Sequence, residues 1–181
     1  MSYRIRKEKI MKETLMDLKT RRSCRSYKEE QIKDEELNAV LEAGMYAPTG
    51  MGMQSPIMIV VQKPEVIKKL SAMNAEVMGT TSDPFYGAPT VIIVLADKKR
   101  GTYKEDGSLV LGNLMNAAHA VGLGSCWIHR AKEVFESEEG KALLKEWGIE
   151  GDYEGIGHCI LGYAIEEAPA KPRKENYVVR V

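Results

Sequence analysis

Four short strand-like runs, separated by segments of helical spacing, set the limits on what this chain can fold into. Ile57–Val61 and Thr90–Ala96 are unbroken apolar runs, and Ser125–His129 and Gly155–Ala164 also read as strands. Between them, Leu37, Val40, Leu41 and Met45 share one helical face, with Asp34 placed to cap it. Pro64 suits the first turn of a helix that runs to Met78 and is ended by Gly79. Leu109–Val121 is small or apolar around most of its circumference, as a buried central helix would be, and Asp106 is its candidate cap. Ser137–Trp147 is amphipathic, with Gly148 at the C-terminal cap position. An earlier helix carries Met11, Leu15 and Leu18 on one stripe, and Tyr177–Val181 is strand-like at the other end. The alternation lacks a strict β-α-β rhythm. The expectation is therefore an α+β domain with a mixed sheet flanked by helices.

Composition narrows the partners. A chain of 181 residues supports one full core, so residues 1–181 are expected to form a single domain, with 165–181 as a tail. The 26 Lys+Arg balance 26 Asp+Glu, which argues against nucleic acid or an anionic membrane as the main partner. No apolar run approaches the roughly 18 to 20 residues that span a bilayer. Met1–Asp17 is charged and helical in pattern, unlike a secretory signal. Three cysteines without Cys-x-x-Cys spacing indicate neither a disulfide framework nor a zinc site. A cytoplasmic protein with reduced thiols is expected.

The chemistry-bearing feature is Arg21-Arg22-Ser23-Cys24-Arg25-Ser26-Tyr27, which packs three guanidiniums into seven residues. Arginine forks match phosphate oxygens, and a serine hydroxyl adds a neutral donor. In a chain of zero net charge, such a cluster points to a local anion site, the alternative being a solvated charged loop before a helix. Gly122-Leu123-Gly124 follows a helix, the reverse of the order in a dinucleotide fingerprint, and no phosphate-loop motif is present. His119, His129 and His158 have no metal-ligand spacing, and His119 reads as a hydrogen-bonded core residue. Arginines flanking Cys24 would give its thiol some thiolate character. Anion-binding equipment with almost no acid, base or nucleophile suits a protein whose cofactor carries the chemistry.

Four segments together resemble the FMN-dependent nitroreductase family, in family order. They are the arginine cluster, Ala47-Pro48-Thr49-Gly50-Met51-Gly52-Met53-Gln54-Ser55-Pro56, the helix and turn from Asn113 to Ile128, and Leu161-Gly162-Tyr163-Ala164 followed by Lys171-Pro172-Arg173-Lys174. The resemblance implies a mainly antiparallel sheet of four to five strands, in a homodimer whose C-terminal tail reaches toward the partner. It implies FMN as the bound cofactor, with Arg21, Arg22, Ser23 and Arg25 gripping the phosphate and ribityl chain, and Lys171 and Arg173 closing on the phosphate. Pro48, Thr49, Gly50 and Gln54 would serve the flavin across the dimer interface. Trp127 and Ile128 would back the ring, the His129 amide would face it, and Asn74 would meet its polar edge. The implied reaction is a two-step exchange: hydride from NADH or NADPH to FMN, then to a nitroaromatic, quinone or other small acceptor. The alternative is a flavin-binding module for sensing or storage, without turnover. Gly52, His129 and Arg130 depart from the family pattern, and Arg130 would favour an anionic substrate or face solvent.

Overall fold

The computed structural model describes residues 13–166 and 168–181. Its organising strand is β2 (Thr90–Asp97), buried along nearly all its length because both faces are covered. Val91, Ile93 and Leu95 point into one core, and Ile92, Val94 and Ala96 into the other. A strand buried on both faces has no polar alternation, which is why its sequence is an unbroken apolar run. The sheet has four strands in the order β1-β2-β4-β3, with β1 Pro56–Val61, β3 Gly124–Ile128 and β4 Tyr153–Gly162. All three ladders are antiparallel; the one parallel pairing described is an isolated bridge between Ser23 and Ser125.

Two layers of helix cover the sheet. On one face α1 (Asp34–Met45) packs against α3 (Tyr103–Ala120), and Asn113 Nδ2 donates to the Ala43 carbonyl at 2.9 Å. On the other face lie α2 (Pro64–Met78), α4 (Ala131–Glu136) and α5 (Glu138–Glu146). Pro64 opens α2 and Gly79, at φ 70°, closes it, as its lack of a Cβ allows. Ser137 caps α5, its hydroxyl accepting from the Gly140 amide at 3.0 Å.

The structure corrects several expectations. Asp106 does not cap α3: the helix begins at Tyr103, behind Thr102, and Asp106 is a buried first-turn residue. Asp34 is the first residue of α1, and the cap position belongs to Lys33, whose amide donates to Glu36 Oε2 at 3.0 Å. Helix α4 went unforeseen because six residues are too few to show a periodicity. Tyr177–Val181 forms no strand, and its apolar side chains are exposed. Met11 lies outside the described residues. Residues 13–20 are helical, yet Leu15, Met16 and Leu18 are exposed, so this amphipathic face is not covered by the described residues. No helix among the described residues is long and apolar enough to cross a membrane.

Candidate functional site

The arginine cluster is stitched to the sheet by its backbone. Ser23 bridges Ser125, the Cys24 amide donates to the Ser125 carbonyl at 2.9 Å, and Tyr27 bridges Ala164. The Lys28 amide donates to Tyr163 O at 2.9 Å, and Ile165 N donates to Ser26 O at 3.0 Å. This segment therefore straps across the start of β3 and the end of β4 through its backbone, while Cys24 and Tyr27 turn into the core. Arg21 Nη1 is buried and has no hydrogen-bond partner among the described residues. Leaving a buried charged donor unmet is costly, so the geometry fits an acceptor that the protein itself does not supply. Arg22 is partly occupied, its Nη1 donating to Lys19 O at 2.7 Å and Arg21 O at 2.6 Å. Arg25 is exposed and lies 6.0 Å from the Tyr86 ring.

Beside this strap is a pocket of about 420 Å³, lined by Arg22, Ser23, His119, Gly122, Gly124 and the tail residues Ala168 and Ala170. The tail thus returns to this pocket at Ala168 and Ala170; Lys171 and Arg173 follow in sequence, both exposed, with Arg173 Nη2 donating to Lys171 O at 3.0 Å. His119 is not a core residue: it lines this pocket with Nε2 2.8 Å from Thr20 Oγ1. Cys24 does not present a nucleophile. It is 6% exposed, and its Sγ donates to Ser26 O at 3.2 Å. Burial also pushes the Cys126 thiol up, against the opposing charge of Arg25.

From this pocket the free edge of β3 leads away along the sheet. The Ser125 carbonyl faces the strap, on the side opposite β4, and antiparallel alternation turns the Trp127 backbone the same way. About 14 Å of strand separates Ser125 from His129, so an elongated molecule with a phosphate at one end could lie along it. Ile128 contributes backbone only, since its side chain is in the core. His129 is exposed, and beyond it Arg130 adopts a left-handed φ of 73°. Asn74 holds this turn: its Nδ2 donates to His129 O at 2.8 Å, and its Oδ1 accepts from Arg130 Nε at 3.2 Å. Asn74 is fully buried, so it supports the turn from below and presents no open polar edge. Trp127, His129 and Arg130 line a second pocket of about 300 Å³, with Lys104, Lys132 and Glu154. Burial opposes ionisation of Glu154, but Lys132 at 3.2 Å and Lys104 at 3.5 Å hold its carboxyl below the usual range.

The loop carrying Pro48, Thr49, Gly50 and Gln54 is not brought to the arginine cluster within one chain. Its base is tied to the N-terminal end of α3, whereas the cluster sits near the C-terminal end. Asp106 and His119 are separated by about 20 Å of helix. Asp106 is 2% exposed; its Oδ1 accepts from Gly50 N at 2.8 Å and its Oδ2 from Ser55 Oγ at 2.8 Å. A Cβ on Gly50 would run into the Thr102 side chain, which is why this close approach needs glycine. Thr49 Oγ1 accepts from Gln54 N at 3.0 Å, and Met51 and Gln54 hold left-handed φ values of 55° and 50°. At the tip Met51 is 96% exposed. Sequence reasoning missed Asp106 as the anchor, though an acid in the first turn of an otherwise small and apolar helix was a signal. It also missed the strain at Arg130, which leaves no sequence signal.

Comparison with known proteins agrees with this layout. The model of the Nitroreductase family matches residues 18–84 and 77–163. A relative from Archaeoglobus fulgidus, named "Putative NADH dehydrogenase/NAD(P)H nitroreductase", is 34% identical over 163 residues, covering 87% of this chain and 88% of its own. A nitroreductase with bound FMN from Bacteroides fragilis superposes with a TM-score of 0.85 at 28% identity, covering 93% of this chain and 98% of its own. A second, with bound FMN, from Desulfitobacterium hafniense gives 0.84 at 27% identity, with 93% and 98% covered. The four-stranded antiparallel sheet, the strap of arginines along it and these matches over most of the chain agree, and the chain belongs to the nitroreductase family.

Proposed function

We propose that this chain is an FMN-dependent oxidoreductase that draws electrons from NADH or NADPH and delivers them to a small acceptor such as a nitroaromatic or quinone. The observation that carries the reading is the buried Arg21 Nη1 with no partner among the described residues, next in sequence to Arg22 and Ser23, which line a pocket shared with the tail. FMN, when bound, supplies the two-electron store that links donor to acceptor. Arg21, Arg25, Lys171 and Arg173 meet its phosphate with charge-assisted donors, and Ser23 adds a neutral one. The free edge of β3 at Trp127 and the His129 turn orient the ring, with Asn74 keeping that turn in place. No dinucleotide fingerprint occurs in the sequence, so donor and acceptor use one pocket in turn and exclude each other.

A homodimer is part of the proposal. Met45, Tyr46 and Met51 are exposed around the 48–54 loop, an apolar surface suited to burial against a second copy. Pro48, Thr49, Gly50 and Gln54 then serve the partner's flavin. Three buried, unpaired cysteines fit a reducing compartment such as the cytoplasm. The test is spectroscopic and kinetic: purified protein should carry or take up FMN stoichiometrically and then oxidise NADH or NADPH with parallel double-reciprocal plots. Tight FMN binding without nicotinamide oxidation would replace the enzyme with the sensing or storage module; no FMN binding would end both readings.

A further inference from the structure

The segment between α2 and β2 puts an aromatic ring where its backbone is least suited to one. Ala88 N donates to Phe85 O at 3.0 Å, closing a turn in which Tyr86 and Gly87 hold φ values of 54° and 70°. Positive φ at both central residues is the type I′ pattern, which favours glycine, asparagine or aspartate at each. A bulky residue there is an outlier. The turn is held in this state from several sides. Phe85 is fully buried, and Asp83 accepts from the Phe85 amide on Oδ1 at 2.8 Å and from the Gly87 amide on Oδ2 at 2.7 Å. Ser71 Oγ of α2 also donates to Asp83 Oδ1, tying the turn to the helix. Strain kept by so many anchors points to a use for the residue that bears it.

What Tyr86 meets is Arg25, whose guanidinium carbon lies 6.0 Å from the centre of the ring, within reach of a cation–π contact. Arg25 is exposed and forms no ion pair and no side-chain hydrogen bond among the described residues. Burial raises the Cys126 thiol on β3, and the charges of Arg25 and Arg21 both oppose that rise, so the two guanidiniums share one neighbourhood. Arg21 is the residue with the buried, unmet nitrogen. We propose that Tyr86 is a positioning residue for this anion site: its ring holds the Arg25 guanidinium in place near Arg21 before the anion arrives. Arginine carries much rotamer freedom, and restraining it beforehand lowers the cost of using it. The proposal rests on the FMN reading for the identity of the anion. The ring acts through its face, so the phenol hydroxyl has no part in it.

The experiment titrates FMN into the full chain, freed of flavin, and follows flavin fluorescence. Tyr86→Leu should weaken FMN binding about threefold to fivefold, the scale of a cation–π contact at an exposed site. Tyr86→Phe keeps the ring and should bind FMN as wild type does. Tyr86→Asn suits the turn better, so it should be at least as stable to urea and still lose the same affinity as Tyr86→Leu. In an Arg25→Gln background, which itself binds FMN more weakly, Tyr86→Leu should cost nothing further, because the residue acts through Arg25. Affinity unchanged in Tyr86→Leu or kept in Tyr86→Asn overturns the proposal, as does an equal loss in Tyr86→Phe. The same cost of Tyr86→Leu with and without Arg25 also overturns it, making the effect one of the fold or of direct contact. A wild type that takes up no FMN ends the flavin reading and this proposal with it, whereas FMN binding indifferent to Tyr86 ends this proposal alone.

Discussion

Asp106 and Arg21 carry buried charge at opposite ends of the site, and they are treated in opposite ways. The Asp106 carboxylate is met on both oxygens, by Gly50 N and Ser55 Oγ at 2.8 Å each, and by Thr102 Oγ1 at 3.3 Å. Arg21 has a buried nitrogen with nothing to donate to among the described residues. The first is a closed node that shapes a loop; the second is open. A satisfied buried charge marks a structural post, and an unsatisfied one marks a place where something else completes the protein. His158 tests how far this distinction reaches. It is fully buried between Phe85 and Phe135, at ring distances of 5.2 and 6.1 Å, and neither ring nitrogen has a hydrogen bond of ordinary geometry among the described residues. Yet it needs no ligand, because a histidine can shed its charge where an arginine cannot.

The largest expected effect belongs to the closed node. Asp106→Ala leaves the Gly50 amide and the Ser55 hydroxyl without their acceptor, and unfolding free energy in urea should fall by roughly 4 kcal/mol. Asp106→Asn should recover part of that loss. A loss under 1 kcal/mol in the alanine variant would mean that the loop is held elsewhere, and the contrast with Arg21 would collapse.

Next comes the intermediate case. Burial pulls His158 down to about 4 from its usual 6.5, with Arg130 adding to the depression, while the backbone of Ile128 opposes it. Between those values the unfolded chain binds a proton that the folded chain refuses. Stability is therefore intact above pH 6.5 and lost as pH falls toward 4, by about 3 kcal/mol in all. The lowered carboxyls of Glu36 and Glu154 push the same way, but only below their usual 4.5. Urea midpoints measured from pH 7.5 to 4.5 should slope in wild type and flatten in His158→Leu. An equal slope in both would show that the imidazole is not the source.

The smallest change in free energy sharpens the comparison most. Arg21→Ala should weaken FMN binding by about 2 kcal/mol, roughly 30-fold, while leaving riboflavin affinity and apo-protein stability almost unchanged. Fluorescence titration with both flavins gives the answer. Loss of stability without loss of FMN affinity would make Arg21 a structural residue like Asp106.

Much of this was legible before folding. The apolar run of β2 announces a strand covered on both faces, and Pro64, Gly79, Ser137 and Gly148 punctuate helices through their own backbone chemistry. The density of arginine at 21–25 pointed to a local anion site in a neutral chain, and the fold straps that cluster along β3 and β4 with one Arg21 nitrogen buried and unmet among the described residues. Such features depend on a residue and its near neighbours, so they are determined locally. The roles of Asp106, Asn74 and Arg130 are not local. Asp106 meets Gly50 across 56 positions and Asn74 meets His129 across 55, contacts that exist only once helix, loop and strand end are packed together. In sequence, Asp106 looked like a cap and Asn74 like a group for the polar edge of a flavin. Tertiary packing alone decided that the first would hold a loop, the second a turn, and that Arg130 would be the one cation in its pocket with no carboxylate paired to it among the described residues.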